Sequence, residues 1–399
     1  MPQKEVLIDD VKVGMYLTDI DISWMKSPFF HHRFMISTKQ QIDSLEKAGV
    51  KKITIDTDKS ISRHPEDSST PPQDTPRKVL KPSPFAKEVE AAKNIKNKAG
   101  KFLNKTIESM VSGDGKIDTA ELVSLVNNSS ESLMRNAHAL LSLFHIGDNM
   151  TELTSHCFSV MSLALILGQR MDLSDKELED LGTAALLMDA GWSKLPNQLF
   201  TLPSEYSDDE YEQIQEHIDH SVKLLDDAGF NYDVTGLVVK HHERFDGSGY
   251  YSNYAGNEIP LMSQILSLAD HYNSLIKGYY GTTSIIPAHA LKQIYLKAKQ
   301  GSHDIGLVEL LIQVVGVYPL TSAVLLNTKE KAVVTKVNWR DGMSPTVRIF
   351  YDKNGVNRMK PVDVDLYNIK KQDNPRKILK IIDANIGQND PANLLIYSV

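Results

Sequence analysis

His241-His242-Glu243-Arg244-Phe245-Asp246-Gly247-Ser248-Gly249-Tyr250 decides how this chain is read. Two adjacent histidines stand beside an acid, and an Asp-Gly-Ser-Gly turn leads to a tyrosine. Neutral imidazole is the commonest protein ligand for a transition metal, and packing rarely needs two in a row. Alone, the pair fits either a metal site or a polar helix end followed by a turn. The choice between them comes from further His and Asp/Glu residues elsewhere in the chain.

The composition sets the frame. At 399 residues, two domains or slightly more are expected. With 41% hydrophobic and 24% charged residues, this is an ordinary globular composition. A formal net charge of -7 argues against a protein that coats nucleic acid polymers, though not against a local basic pocket for a phosphate ligand. The single cysteine, Cys157, allows no internal disulfide and fits a reducing compartment. The first residues have no apolar core of a secretory signal, and no run of 18 apolar residues predicts a membrane span. Cytoplasmic is the expected location.

Residues 1–59 read as a small α+β domain. Ile42, Leu45 and Ala48 recur at helical spacing between Ile36 and Gly49, and Lys52-Ile53-Thr54-Ile55-Asp56 alternates as a strand. Trp24, Pro28, Phe29 and Phe30 fit a small core or an interface better than a binding surface. Residues 60–84 hold six of the 17 prolines and five serines, which predicts a linker. Residues 85–319 read as helical. Within them, residues 113–121 imitate half a calcium loop, but Met110 and Ser112 fall where oxygen ligands should stand. A turn with Asp118 as N-cap is the better reading. Phe102, Leu103 and Ile107 suit a dimer helix or the core equally. Leu163, Ile166 and Leu167 mark one apolar stripe, and Leu261, Ile265, Leu268 and Ala269 another. Residues 320–399 turn to strands, with Asn354-Gly355 a hairpin signal and Ile378 to Ile382 a further strand. The fold class expected is mainly α, with a small α+β domain before the bundle and a small β appendage after it.

The candidate ligands follow from this pattern. Glu152 and His156 are four apart and share a helix face. Asp189 ends the apolar run from Ala184 to Met188, and His217 lies on a helix beginning near Ser207. His241 and His242 close the stretch at Val238-Val239, and Asp270 follows Leu268-Ala269. Each falls at an inward-facing position, where a charge is costly unless paired or bound to metal. Seven such residues favour metal.

At this point the sequence resembles a known family. The stretch 241–250 looks like the signature of the HD-GYP family, bacterial HD-superfamily phosphohydrolases that degrade cyclic di-GMP. The likeness spans residues 150–315, and residues 1–59 resemble the small domain often fused to that family. It implies an HD-superfamily helical bundle holding divalent transition metal, most often iron or manganese, with one or two ions expected here. It implies Glu152, His156, Asp189, His217, His241, His242 and Asp270 as ligands, with Asp189 also catalytic as the bridge between two ions. Asp246, Gly247, Gly249 and Tyr250 are implied to face substrate, and the loop is a candidate docking point for other signalling proteins. A homodimer is also among the expectations.

The chain departs from the family's pattern at several points. Met188 stands where the family has the histidine of its HD pair, and Trp192 where it has a phosphate-facing lysine. Tyr251 replaces the proline of the GYP triplet, Asn273 a second aspartate, and Lys277-Gly278-Tyr279-Tyr280 lacks the usual arginine. The expected function is therefore hydrolysis of cyclic di-GMP to pGpG or GMP with attenuated activity. The alternatives are an inactive ligand sensor or partner-binding module, and an HD phosphohydrolase acting on another nucleotide.

Overall fold

The computed structural model describes residues 3–12, 15–21, 34–36, 39–47, 49–57, 80–112, 117–145, 150–201, 205–338 and 340–382. Trp24, Pro28, Phe29 and Phe30, residues 60–79 of the expected linker, and residues 113–116 of the calcium-loop-like stretch lie outside these. The chain divides into two compact units, Met1–Lys78 and Val79–Val399.

In the first unit, strands β1 (Gln3–Leu7), β2 (Tyr16–Ile20), β3 (Phe34–Met35) and β4 (Lys52–Asp56) form an antiparallel sheet in the order β1-β4-β2-β3. Helix α1 (Lys39–Lys47) ends before Gly49, whose φ of +86° lets the chain turn into β4. The alternation expected at 52–56 is real: Ile53 and Ile55 are buried with Leu17, Ile36 and Leu45.

The second unit is a helical bundle with a sheet at its C-terminal end. Its first helices are α2 (Phe85–Ser112) and α3 (Thr119–Leu141), which pack together. Phe102 and Leu103 point into the bundle core, so the core accounts for both. Asp118 caps α3, its side chain accepting from the Glu121 backbone N–H at 3.0 Å. Helix α4 (Glu152–Arg170) packs against α2 and α3 and also against α5 (Asp175–Leu187). The sequence suggested one apolar stripe on α4, but it is buried nearly all round because neighbours cover every face. A 3-10 turn (Ala190–Lys194) and the short α6 (Asn197–Phe200) lead to α7 (Asp208–Asp227), α8 (Tyr232–Val239) and α9 (Leu261–Lys277). Ser174 and Ser207 close capping boxes at the starts of α5 and α7. Helices α10 (Pro287–Ala298) and α11 (Ile305–Val315) complete the bundle.

Strands β5 (Ala323–Leu326), β6 (Lys331–Lys336), β7 (Thr346–Tyr351), β8 (Asn357–Asp365) and β9 (Ile378–Ile381) form an antiparallel sheet ordered β8-β7-β6-β5-β9. The β7–β8 hairpin turns at Asn354-Gly355, with Gly355 at φ +80°. Leu320 and Val337 at the base of the sheet join the bundle core. No helix among the described residues is long and apolar enough to cross a membrane.

One buried ion pair ties α2 to α3. The Glu88 carboxylate accepts from the Arg135 guanidinium at 3.0 Å and from the Ser132 hydroxyl at 2.8 Å. Burial opposes its charge, but Arg135 and Ser132 prevail and hold its pKa below the usual carboxylate range. A depressed carboxylate stabilises the fold above its unfolded pKa and loses that contribution as pH falls through the folded one. Breaking the pair by Glu88→Ala should cost about 3 kcal/mol. Urea melts of the two chains at neutral pH measure this, and the gap between them should narrow in acid.

Candidate metal centre

Four of the expected ligands meet in the bundle. Asp189, His217, His241 and His242 are all buried, and they offer ligand atoms within 4.8 Å of one another. Each is delivered by a short local device. Asp189 follows the end of α5 and begins the 3-10 turn. That turn presses on α7 at Gly191, where an added Cβ would fall 2.0 Å from the His217 carbonyl oxygen. Only glycine permits this approach, which brings Asp189 against His217. His241 and His242 follow the last turn of α8. The loop after them folds back at Gly249, where a Cβ would lie 2.5 Å from the Arg244 backbone nitrogen.

The imidazole orientations suit a cation. His217 Nδ1 faces the Ile214 carbonyl, and His241 Nδ1 faces the Val238 carbonyl at 2.5 Å. A carbonyl only accepts, so both Nδ1 atoms carry hydrogen, and in the neutral rings that hold a metal both Nε2 atoms present lone pairs. Those two Nε2 atoms lie 3.4 Å apart, and 3.5 and 3.8 Å from Asp189 Oδ1. Two lone pairs facing each other beside a carboxylate repel unless a cation lies between them. Asp189 Oδ1 and His242 Nε2 are buried without a hydrogen-bond partner. Burial lowers the pKa of His217 to about 4 despite Asp189, and burial with the neighbouring imidazoles holds that of His242 well below the usual histidine range, so both are neutral. The residues present therefore fit a divalent metal.

His156 and Asp270 adjoin this group. His156 Nε2 lies 3.1 Å from Asp270 Oδ1 and 3.3 Å from Asp189 Oδ2, and His242 Nδ1 lies 3.4 Å from Asp270 Oδ2. Burial opposes a charge on His156, but the two carboxylates prevail and raise its pKa to about 9. Asn273 receives the other face of His156, Oδ1 to Nδ1 at 2.8 Å, and so orients the ring. Glu152 stands apart: it is exposed in the first turn of α4, outside the group of four.

The departures have defined places. Met188 is fully buried in the apolar core. Trp192 is buried and stacks on His217 with ring centroids 5.1 Å apart. Tyr251 adopts φ +98°, which proline, fixed near -65°, cannot. The loop is held instead by Glu243, which accepts from the Ser252 backbone N–H at 2.8 Å, and by Asp246, which accepts from that of Ser248 at 3.0 Å. Asp246 and Gly247 form the turn of this loop, and Asp246, Gly249 and Tyr250 border a cleft.

That cleft holds about 410 Å³ and is walled by His242, Arg244, Tyr250, His271, Lys297 and Gln300 among others. Tyr250 lies against His242 with ring centroids 4.6 Å apart, so the ligand shell is also the cleft wall. His271 and His303 bond at 2.8 Å, and burial lowers both pKa values, that of His303 to about 3. Sequence reasoning missed Lys297, His271 and His303, which share no spacing with the signature. It also missed the role of Tyr280, whose hydroxyl donates to Asp189 Oδ2 at 2.7 Å. The flanking glycines, Gly278 and Gly281, were the available signal.

Comparison with known proteins places this geometry in context. Residues 124–306 match the family model described as "HD domain", and residues 3–122 match one described as "Domain of unknown function (DUF3391)". A cyclic di-GMP phosphodiesterase of Pseudomonas aeruginosa is 25% identical over 87% of this chain and 85% of its own length. The cyclic di-GMP phosphodiesterase response regulator RpfG of Xanthomonas campestris is 29% identical, over 29% of this chain and 31% of its own. A solved HDG"Y"P protein from Bdellovibrio bacteriovorus aligns with a TM-score of 0.46 at 18% identity, covering 78% of this chain and 98% of that one.

Elemental analysis of freshly purified protein should find at least one transition metal per chain. His242→Ala should lower that content, whereas His289→Ala, at an exposed position of α10, should not. Protein that neither carries nor takes up metal under reducing, chelator-free conditions would overturn the assignment.

Proposed function

The chain carries an HD domain, and we propose that it is a metal-dependent phosphodiesterase that hydrolyses cyclic di-GMP to pGpG or GMP, with attenuated activity. The observation that carries this is the buried set of Asp189, His217, His241 and His242, with imidazole lone pairs aimed inward and a cleft sharing the His242 wall. The substrate follows from similarity to relatives with that activity. Iron or manganese, one or two ions, suits imidazoles combined with carboxylates. When bound, the ion supplies Lewis acidity toward a phosphodiester and lowers the pKa of water.

The chain's own residues do the remainder. His217, His241 and Asp189 fix the position of the centre, with His156 and Asp270 beside it. Arg244 and Lys297 bring positive charge to the cleft, the complement of a substrate with two phosphates. Burial pushes the Tyr250 phenol well up, so it stays a hydrogen-bond donor at neutral pH. Where the family has a lysine, Trp192 is buried against His217 and offers phosphate no charge. That is the physical ground for attenuation. The cytoplasmic location, a homodimer, and docking of other signalling proteins on loop 246–250 belong to the same proposal.

A second reading rests on the same tryptophan: a binding module that retains ligand and metal without turnover. Single-turnover cleavage of cyclic di-GMP separates the two. The natural chain should cleave slowly, His241→Ala should abolish cleavage, and Met188→His, Trp192→Lys should gain about 100-fold. Equal rates in the natural and double-variant chains would remove the attenuation argument. Binding without product in both metal-loaded chains would establish the second reading.

A further inference from the structure

The two oxygens of Asp189 face different groups. Oδ1 faces His217 and His241. Oδ2 faces His156 Nε2 at 3.3 Å and the Tyr280 hydroxyl at 2.7 Å. The same hydroxyl lies 3.3 Å from His156 Nε2, which in turn lies 3.1 Å from Asp270 Oδ1. Ligand atoms that share one octahedral ion are themselves about 3 Å apart. A phenol oxygen, an imidazole nitrogen and two carboxylates are thus gathered around Asp189 Oδ2 and His156 Nε2.

The backbone of Tyr280 is the second observation. Its φ is +52°, a left-handed conformation that is costly for a bulky side chain. Gly278 at φ +77° and Gly281 at φ +70° bend the chain on either side, and the Tyr280 N–H bonds the Phe200 carbonyl at 3.2 Å. The ring packs on Trp192 and Phe200, which accounts for the ring alone. The hydroxyl is carried past these aromatics into the polar centre, and the strained turn sets it there.

We propose that Tyr280 is a metal ligand, its phenolic oxygen completing with His156, Asp189 and Asp270 a second ion site in which it replaces the histidine absent at Met188. The thioether at Met188 is buried in the apolar core. A phenol oxygen is an established ligand of ferric iron. On ligation the oxygen lone pair forms the bond to the ion and the phenolic proton leaves to solvent, with no electron transferred. The inference rests on the metal reading above, yet its test requires no substrate.

The full chain is loaded with ferric iron alone, and its iron content and visible absorption are measured. Phenolate bound to ferric iron gives an intense visible charge-transfer band that imidazole and carboxylate ligands lack. The natural chain should show the band. Tyr280→Phe, which keeps the ring, should lose it together with about one ion per chain, whereas Tyr279→Phe and Tyr250→Phe should keep both. Should Tyr280→Phe fail to fold, resonance Raman excitation of the natural chain within the band should show tyrosinate ring modes. A natural chain without the band, a band that survives in Tyr280→Phe, or uptake of no second ion overturns the proposal. A chain with the band that cleaves no cyclic di-GMP loses the proposed activity and keeps this ligand.

Discussion

Two carboxylates are buried at the centre of the bundle, and every ion-pair partner of Asp189 and Asp270 among the described residues is a histidine. A carboxylate taken out of water costs several kcal/mol unless its charge is answered. Neutral imidazoles do not answer it. The backbone carbonyls at Ile214 and Val238 fix His217 and His241 in the tautomer that presents lone pairs, which adds negative potential. The centre therefore calls for a cation. Without a metal, the charge comes from a proton on His156, whose raised pKa is that demand expressed chemically. A bound ion meets it more completely and couples metal affinity to the stability of the fold.

The bundle around this centre is built to hold it dry. Asp189, His241 and His242 all stand just past the end of a helix, where the chain can leave the helical path and aim a side chain inward. Helix α4 passes behind them, buried on nearly every face. The close approach at Gly191 packs the turn after Asp189 directly on α7, and the fold-back at Gly249 packs the loop on the backbone of residues 242–244. Hydrophobic packing and ligand geometry are thus one construction, and loosening either would disturb the other.

Much of this was legible in the sequence. His241-His242 and the apolar run before Asp189 located the centre because a polar residue at a core position stands out against its neighbours. The turn to strands after residue 320 showed in β-branched runs such as 332–337, which overlaps β6, and the hairpin showed in Asn354-Gly355. What stayed hidden depends on contacts distant in sequence. Lys297 and His271 meet in the cleft wall only through the packing of α9 and α10. Glu152 looked equivalent to His156 because four residues share a helix face, yet it occupies the first turn of α4, where the helix emerges toward solvent.

The departures from the family's pattern also read differently once their places are known. A site that had merely decayed would hold voids and polar groups facing apolar walls. Here Trp192 stacks on His217, lies 5.3 Å from Phe200 and 5.6 Å from Tyr280, and Phe200 stacks on Tyr279 at 4.5 Å. The residues at 192, 279 and 280 pack as one aromatic wall against the ligands. Of the polar atoms at 192, 279 and 280, only Trp192 Nε1 is left buried without a hydrogen-bond partner. Such a wall excludes water and lowers the local dielectric, which strengthens every charge interaction at the centre. The buried indole at 192 offers no charge to a phosphate. Positive charge at the cleft is thereby left to Arg244 and Lys297, and the proposed hydrolysis would depend more heavily on a bound ion.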